Sequence, residues 1–207
     1  MSFEVWITFA IASAILVSIP GPTVMTVVSY ALSKGRNAGW ASVAGVTLGD
    51  ITAMTLSLAG AGALLATSAT LFTALKLLGA LYLIWLGVNL WRSKPNLSIE
   101  KETTPHISNR SIFINTYMVT ALNPKCIMFF IAFVPQFIST NEPSLPQMAI
   151  LEITFVTLGA LNAFMWAFLA SSMRGHFSKP GRLKIINRIG ASFLISAGLI
   201  TAFARKT

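Results

Sequence analysis

Acidic side chains are nearly missing from this chain. It has six Asp and Glu against fifteen Lys and Arg in 207 residues, and charged residues of both signs make up only 10%. Soluble domains usually carry roughly 25%, so an ordinary water-facing surface is excluded. A single cysteine, Cys126, excludes an intramolecular disulfide, a Cys-pair redox site and a thiolate cluster. The two histidines, His106 and His176, stand alone in separate loops and give no basis for a metal site or acid–base pair. Gly35-Arg36-Asn37-Ala38-Gly39 is glycine-rich, but it lacks the lysine–serine end and preceding strand of a phosphate loop. No ATPase signature occurs. The start, Met1-Ser2-Phe3-Glu4, has no basic region and no small-residue cleavage site follows, so the first apolar run is expected to remain as a helix.

What is present is apolar. Hydrophobic residues make up 55%, and the mean hydropathy is +0.73. A membrane-crossing helix needs about 20 apolar residues. Six segments qualify, at roughly 5–30, 38–66, 70–91, 112–138, 147–172 and 185–204. The second is ambiguous at Gly60-Ala61-Gly62, which reads as helix or as its end. The net charge of +9 does not form a patch with interleaved aromatics, so nucleic acid is not an expected partner. The basic residues sit in loops. The first loop (31–39) carries Lys34 and Arg36, and the third (92–111) carries Arg92, Lys94, Lys101 and Arg110. The fifth (173–184) carries Arg174, Lys179, Arg182 and Lys184, whereas the second (67–70) and fourth (139–146) carry no cation. The bias of Lys and Arg toward the cytoplasmic side then puts both termini outside the cytoplasm, against the mild pull of Arg205 and Lys206.

The two halves resemble one another. Pro22 and Asp50 are 28 positions apart, as are Pro124 and Glu152. Gly79-Ala80-Leu81-Tyr82-Leu83-Ile84-Trp85-Leu86-Gly87 matches Gly190-Ala191-Ser192-Phe193-Leu194-Ile195-Ser196-Ala197-Gly198 at five positions. The expected fold is all-α and membrane-integral: six transmembrane helices as a 3+3 inverted repeat, with interrupted helices one and four. Repeat one covers about 1–92, a linker with Pro95 and Pro105 covers 93–111, and repeat two covers about 112–207. Interrupted first helices in inverted repeats are a transporter architecture.

The first interruption is Ser18-Ile19-Pro20-Gly21-Pro22-Thr23. Proline lacks an N–H and clashes with the carbonyl four residues back, so the carbonyls of Leu16 and Ser18 lose their helical partners. In lipid each unpaired group costs several kcal/mol unless something satisfies it. The second interruption is Asn123-Pro124-Lys125, which frees the carbonyl of Thr120. Lys125 lies too deep to reach the interface, and an intramembrane charge is normally functional and partnered. The alternative is a structural ion pair or an uncharged lysine. Asp50 is the one acid deep in a span, roughly 18 Å from the inner start of its helix in a core about 30 Å thick. It reads as a partner for Lys125, as a ligand for a substrate ammonium, or as a proton carrier. The small residues before it, Gly45 and Gly49, allow another helix to approach closely. Glu152 reads as interfacial. Asn162, one turn from Trp166, lines a cavity or bonds a neighbouring helix. Cys126 reads as a small buried hydrophobe.

Pro20-Gly21-Pro22, Gly35 to Gly39, Gly45, Gly49-Asp50, Leu78-Gly79-Ala80-Leu81-Tyr82-Leu83 with Gly87, Asn123-Pro124-Lys125 and Phe133-Val134-Pro135-Gln136-Phe137 occur here in this order. In these stretches, over nearly all its length, the chain resembles the LysE/RhtB family of bacterial amino-acid exporters, the lysine exporter and homoserine/threonine resistance proteins. It departs where Asn115 replaces a frequent glycine and Cys126 a common small residue. The resemblance implies one transport domain in the bacterial cytoplasmic (inner) membrane, with proton-driven export of amino acids or close derivatives and no cofactor. The scarcity of deep acids favours small neutral substrates. Pro20, Gly21, Pro22, Asp50, Asn123, Pro124 and Lys125 match the family's functional motifs. Ser18, Thr23 and Asn162 complete the expected binding set, and Asp50 is the expected proton-coupling group. Half-helix starts after Pro22 and Lys125 would hold a substrate carboxylate. Carbonyls near Ser18 and Thr120, with Asp50, would hold its ammonium. Pro22, Asp50 and Lys125 are then expected to line one cavity. A homodimer is permitted by the glycine-rich faces. The other readings are an exporter of a different small polar metabolite and a membrane scaffold subunit. An intramembrane enzyme would need a paired nucleophile and base, and none is visible.

Overall fold

Three prolines decide where two of the long apolar runs break. In the computed structural model, which describes residues 1–92, 108–139, 141–172 and 180–203, helix α1 (Phe3–Ser18) stops before Pro20. Ile19, the residue ahead of that proline, turns extended at φ −68°, ψ 119°, as the proline ring demands of its predecessor. Pro22 then opens α2 (Pro22–Lys34) at its first position, where a missing N–H is no loss. The second break repeats this device. Helix α5 (Asn109–Ala121) stops, Asn123 turns extended at φ −69°, ψ 109°, and Pro124 opens α6 (Pro124–Ala132). The bend is 55° between α1 and α2, and 42° across the α5–α6 break. A short 3-10 turn, Val134–Phe137, follows α6.

The remaining helices are α3 (Arg36–Thr67), α4 (Ala69–Arg92), α7 (Ser144–Ser172) and α8 (Pro180–Phe203). No strand occurs among the described residues. Two of the expected loops shrink to single residues. Gly35 alone separates α2 from α3, at φ 78°, a left-handed conformation natural to glycine. Ser68 alone separates α3 from α4, because Gly60-Ala61-Gly62 continues as helix. The third loop from Ser93 to Ile107, most of the fifth, and the tail with Arg205 and Lys206 lie outside the described residues. The expectations about their charges, Pro95, Pro105, His106 and His176 lie there too.

Three helices, α3, α4 and α7, are long and apolar enough to cross a membrane, and each bent pair adds a span if counted as one, giving up to five. Within α8, Ala191–Phe203 is a shorter apolar helix. The earlier turns of α8 carry Arg182, Lys184 and Arg188, which lower its hydropathy. By length and composition this is a multi-pass membrane protein.

Small residues set the helix spacing. A Cβ placed on Gly45 would fall 2.7 Å from the carbonyl oxygen of Phe113, and one on Gly49 would fall 2.7 Å from Thr120 Cβ. Helix α3 therefore lies against α5 at backbone distance, as expected for small residues in lipid. The α4–α8 contact is reciprocal. A Cβ on Gly87 would meet the Ala191 carbonyl at 2.9 Å, and one on Gly198 the Ala80 carbonyl at 2.7 Å. The core has two parts. Phe9, Phe129, Phe130, Phe133 and Phe155 gather where α1, α6 and α7 meet, with Phe130 and Phe155 edge-to-face at 4.7 Å between centroids. Val24, Val27, Val28, Val46, Ala163 and Ala167 fill the α2, α3 and α7 contact.

Overpacking a tight helix contact costs about 1–3 kcal/mol. Gly87→Leu and Gly198→Leu are therefore expected to lower the unfolding midpoint in detergent. Gly60→Ala, where a Cβ meets nothing within 4 Å, is expected to leave it unchanged or raise it.

Candidate functional site

The break in α1 leaves carbonyls that must find donors. Pro20 cannot give the Leu16 carbonyl an N–H. The Leu16 oxygen instead accepts the Ile19 N–H at 3.2 Å and Lys125 Nζ at 3.0 Å. Lys125 Nζ also donates to the Ile19 carbonyl at 3.1 Å. The Val17 carbonyl accepts Asn162 Nδ2 at 2.9 Å. A lysine from α6 and an asparagine from α7 thus close the broken end of α1. Lys125 reaches it because Asn123, through its side-chain oxygen, caps α6 at the Lys125 N–H at 3.1 Å. The second break closes on itself. The Thr120 carbonyl accepts the N–H of Leu122 and of Asn123.

The two breaks touch. Thr23 Oγ1, in the first turn of α2, accepts Thr120 Oγ1 at 3.3 Å and Asn123 Nδ2 at 3.2 Å. Between them and α7 lies a cavity of about 30 Å³, lined by Gly21, Thr23, Asp50, Asn123, Lys125, Gly159 and Asn162 over an apolar wall of Val17, Val24, Val27, Val46, Cys126 and Ala163. That is the share of liquid volume of about one water molecule. A second cavity of about 120 Å³ lies beyond the break, lined by Pro20, Gly21, Pro22, Tyr82, Asn123, Pro124 and Lys125 with apolar neighbours. Gly21, Asn123 and Lys125 stand between the two.

The expected site is therefore gathered, with changes. Asp50 and Lys125 share the first cavity, whereas Pro22 meets Lys125 in the second. Ser18 lines neither cavity, since its hydroxyl donates back to the Ala14 carbonyl at 2.7 Å. Asp50 is 3% exposed, and no described hydrogen bond reaches its carboxylate. No described ion pair joins it to Lys125, whose ammonium is turned to the carbonyls of Leu16 and Ile19. Glu152 lines neither cavity and accepts the Thr55 hydroxyl at 2.6 Å. Trp166 packs against the valine–alanine cluster. Cys126 is buried in the cavity wall.

Sequence reasoning missed Gly159. A Cβ there would fall 2.5 Å from Asp50 Oδ2, so the acid keeps its place only because α7 has no side chain at that point. Its single signal was a glycine near the middle of an apolar run that also carries Asn162. Among the described residues no group of His, Cys, Asp and Glu is gathered that could hold a metal ion.

A buried polar group left unpaired costs about 1–3 kcal/mol. Lys125→Met strands the carbonyl of Ile19 and leaves that of Leu16 with the Ile19 N–H alone. It is expected to lower the unfolding midpoint and to speed amide hydrogen exchange in the last turn of α1. Unchanged exchange there would show that Lys125 does not cap this end.

Comparison with known proteins fits this arrangement. The model of the LysE type translocator family matches residues 14–204. An uncharacterized membrane protein of Vibrio cholerae is 31% identical over 206 residues, covering 99% of this chain and 100% of its own. The homoserine/homoserine lactone efflux proteins of Salmonella typhi and Salmonella typhimurium are each 30% identical over 209 residues, covering 99% of both chains. No solved structure matches. With a family match over nearly its whole length and broken helices that meet around a buried acid, the chain is a transporter rather than an enzyme and belongs to the LysE type translocator family.

Proposed function

We propose that this protein exports small neutral amino acids or close derivatives across the bacterial inner membrane in exchange for protons. The observation that carries the reading is Asp50. It is a buried carboxylate without a described hydrogen bond, facing a cavity between two broken helices. A buried acid in a span is a functional group by default. It can bind an ammonium when ionised and release it when protonated. The apolar part of the wall is valine, alanine and cysteine, and Asp50 is the one acid in the lining, which favours a substrate with a single cationic group. Homoserine, named for two relatives, is the first substrate to try.

The first cavity is small for an amino acid. An amino acid has several times the volume of a water molecule, so loading requires the helices to part. The reciprocal glycine contacts of α4 and α8 support a 3+3 inverted repeat, in which one half rocks against the other. The aromatic cluster beside α1 and α6 would close one side of the site, and the valine–alanine cluster beside α2 the other. The charge bias of the loops supports termini outside the cytoplasm.

Liposomes containing the full chain are expected to move labelled homoserine when a pH gradient is imposed. Asp50→Asn is expected to abolish the response to the gradient and to weaken binding of the amino acid. Gly159→Ala, which crowds the same carboxylate, is expected to slow export at least tenfold at near-normal stability. Gradient-driven export by Asp50→Asn at the wild-type rate would sink the coupling role. A scaffold subunit would move nothing in any of these assays.

A further inference from the structure

Two broken helices present four ends at mid-depth, and three of them are already closed from within. The C-terminal end of α1 is held by Lys125 and Asn162. The C-terminal end of α5 is held by the N–H groups of Leu122 and Asn123. The N-terminal end of α6 is capped by the Asn123 side chain. The remaining end, the N-terminal end of the 13-residue helix α2, has no side-chain cap. No described hydrogen bond engages the N–H groups of Thr23 and Val24, and both residues line the first cavity. Thr23 Oγ1 already accepts two hydrogen bonds. A hydroxyl has two lone pairs and one proton, so what it has left to offer is the proton.

The opposite wall of that cavity is complementary. Asn162 is 9% exposed and spends its Nδ2 on Val17. Its Oδ1 is buried without a partner. Asn162 and Asp50 both line the cavity, and Gly159 lets α7 approach the acid. One wall is thus a donor set with a helix N-terminus behind it, and the other is an acceptor set that includes a carboxyl group.

The geometry points to an oriented zwitterion site: the substrate carboxylate on the Thr23 and Val24 N–H groups and the Thr23 hydroxyl, the ammonium between Asp50 and Asn162 Oδ1. Lys125 then serves the fold as the cap of α1 and is not the carboxylate's partner. Asn162 has two roles, closing α1 with its nitrogen and binding substrate with its oxygen. This rests on the amino-acid reading above and adds the polarity of the site, with α-carboxylate and α-ammonium both required.

The test is direct binding to the full chain in detergent, followed by transport in liposomes. The probes are homoserine and serine, each with its α-amide, which lacks the carboxylate charge, and its α-hydroxy acid, which lacks the ammonium. A hydrogen bond to a charged group is worth enough for roughly a tenfold or larger change in affinity. Both analogues are therefore expected to bind at least tenfold more weakly than the amino acid. Asn162→Leu is expected to weaken the amino acid about tenfold and the hydroxy acid clearly less, since a neutral hydroxyl gains less from Oδ1 than an ammonium does. An amide that binds as tightly as its amino acid overturns the carboxylate assignment. Asn162→Leu weakening both ligands equally overturns the ammonium assignment. Should that variant fail to fold, the analogue series on the unaltered chain still decides. Correct binding preference without transport would refute the export reading and leave the polarity standing. No binding of either amino acid would refute both.

Discussion

The structure depends on how a helix broken inside a membrane finds donors for its last carbonyls. Water cannot supply them at that depth, and each unpaired group costs several kcal/mol. Lys125 solves this for Leu16 and Ile19, and Asn162 solves it for Val17. Those two side chains come from α6 and α7, so closing α1 also fixes where α6 and α7 stand. Thr23 then ties α2 to Thr120 and Asn123. The position of the cavity follows from these bonds.

The same economy explains why the two breaks are closed in different ways. The second break is a tighter turn and satisfies Thr120 with its own backbone. The first is opened by two prolines around Gly21 and must draw on other helices. A lysine used as a cap stays in the cavity wall with its ammonium turned to carbonyls, and beside it stands an acid that no described hydrogen bond reaches. Glycine completes the arrangement. Gly49 brings α5 against α3 one residue before Asp50, and Gly159 brings α7 against the carboxylate itself. The Asp50 charge is buried by close approach of backbone rather than by bulky side chains.

The two clusters around the site differ in kind. Phe9, Phe129, Phe133 and Phe155 interlock beside α1 and α6. Valine and alanine fill the side beside α2. Interlocked rings resist separation more than small aliphatic contacts do, since each ring buries a large apolar area in a specific geometry.

Much of this was legible in the chain. Proline at positions 20, 22 and 124 dictates two helix breaks, because a missing N–H and a ring clash act locally. Low charge and long apolar runs dictate a membrane solvent, and Asp50 and Lys125 stand out as charges where none belongs. Glycine at 45, 49, 87 and 198 announces close helix contacts. Other features depend on which residues meet across sequence separations of more than a hundred positions. Lys125 reads as a charge awaiting an acid, yet it is turned to the carbonyls of Leu16 and Ile19, because a broken helix end is a strong acceptor visible only once α6 is packed beside it. Ser18 belongs to the broken stretch but bonds its own helix. Gly159 carries only a faint local signal, a glycine inside an apolar run, since its role is to leave room for a side chain on α3. Local backbone chemistry determined where the helices stop; tertiary packing decided which donor closes each end, and which end stays open.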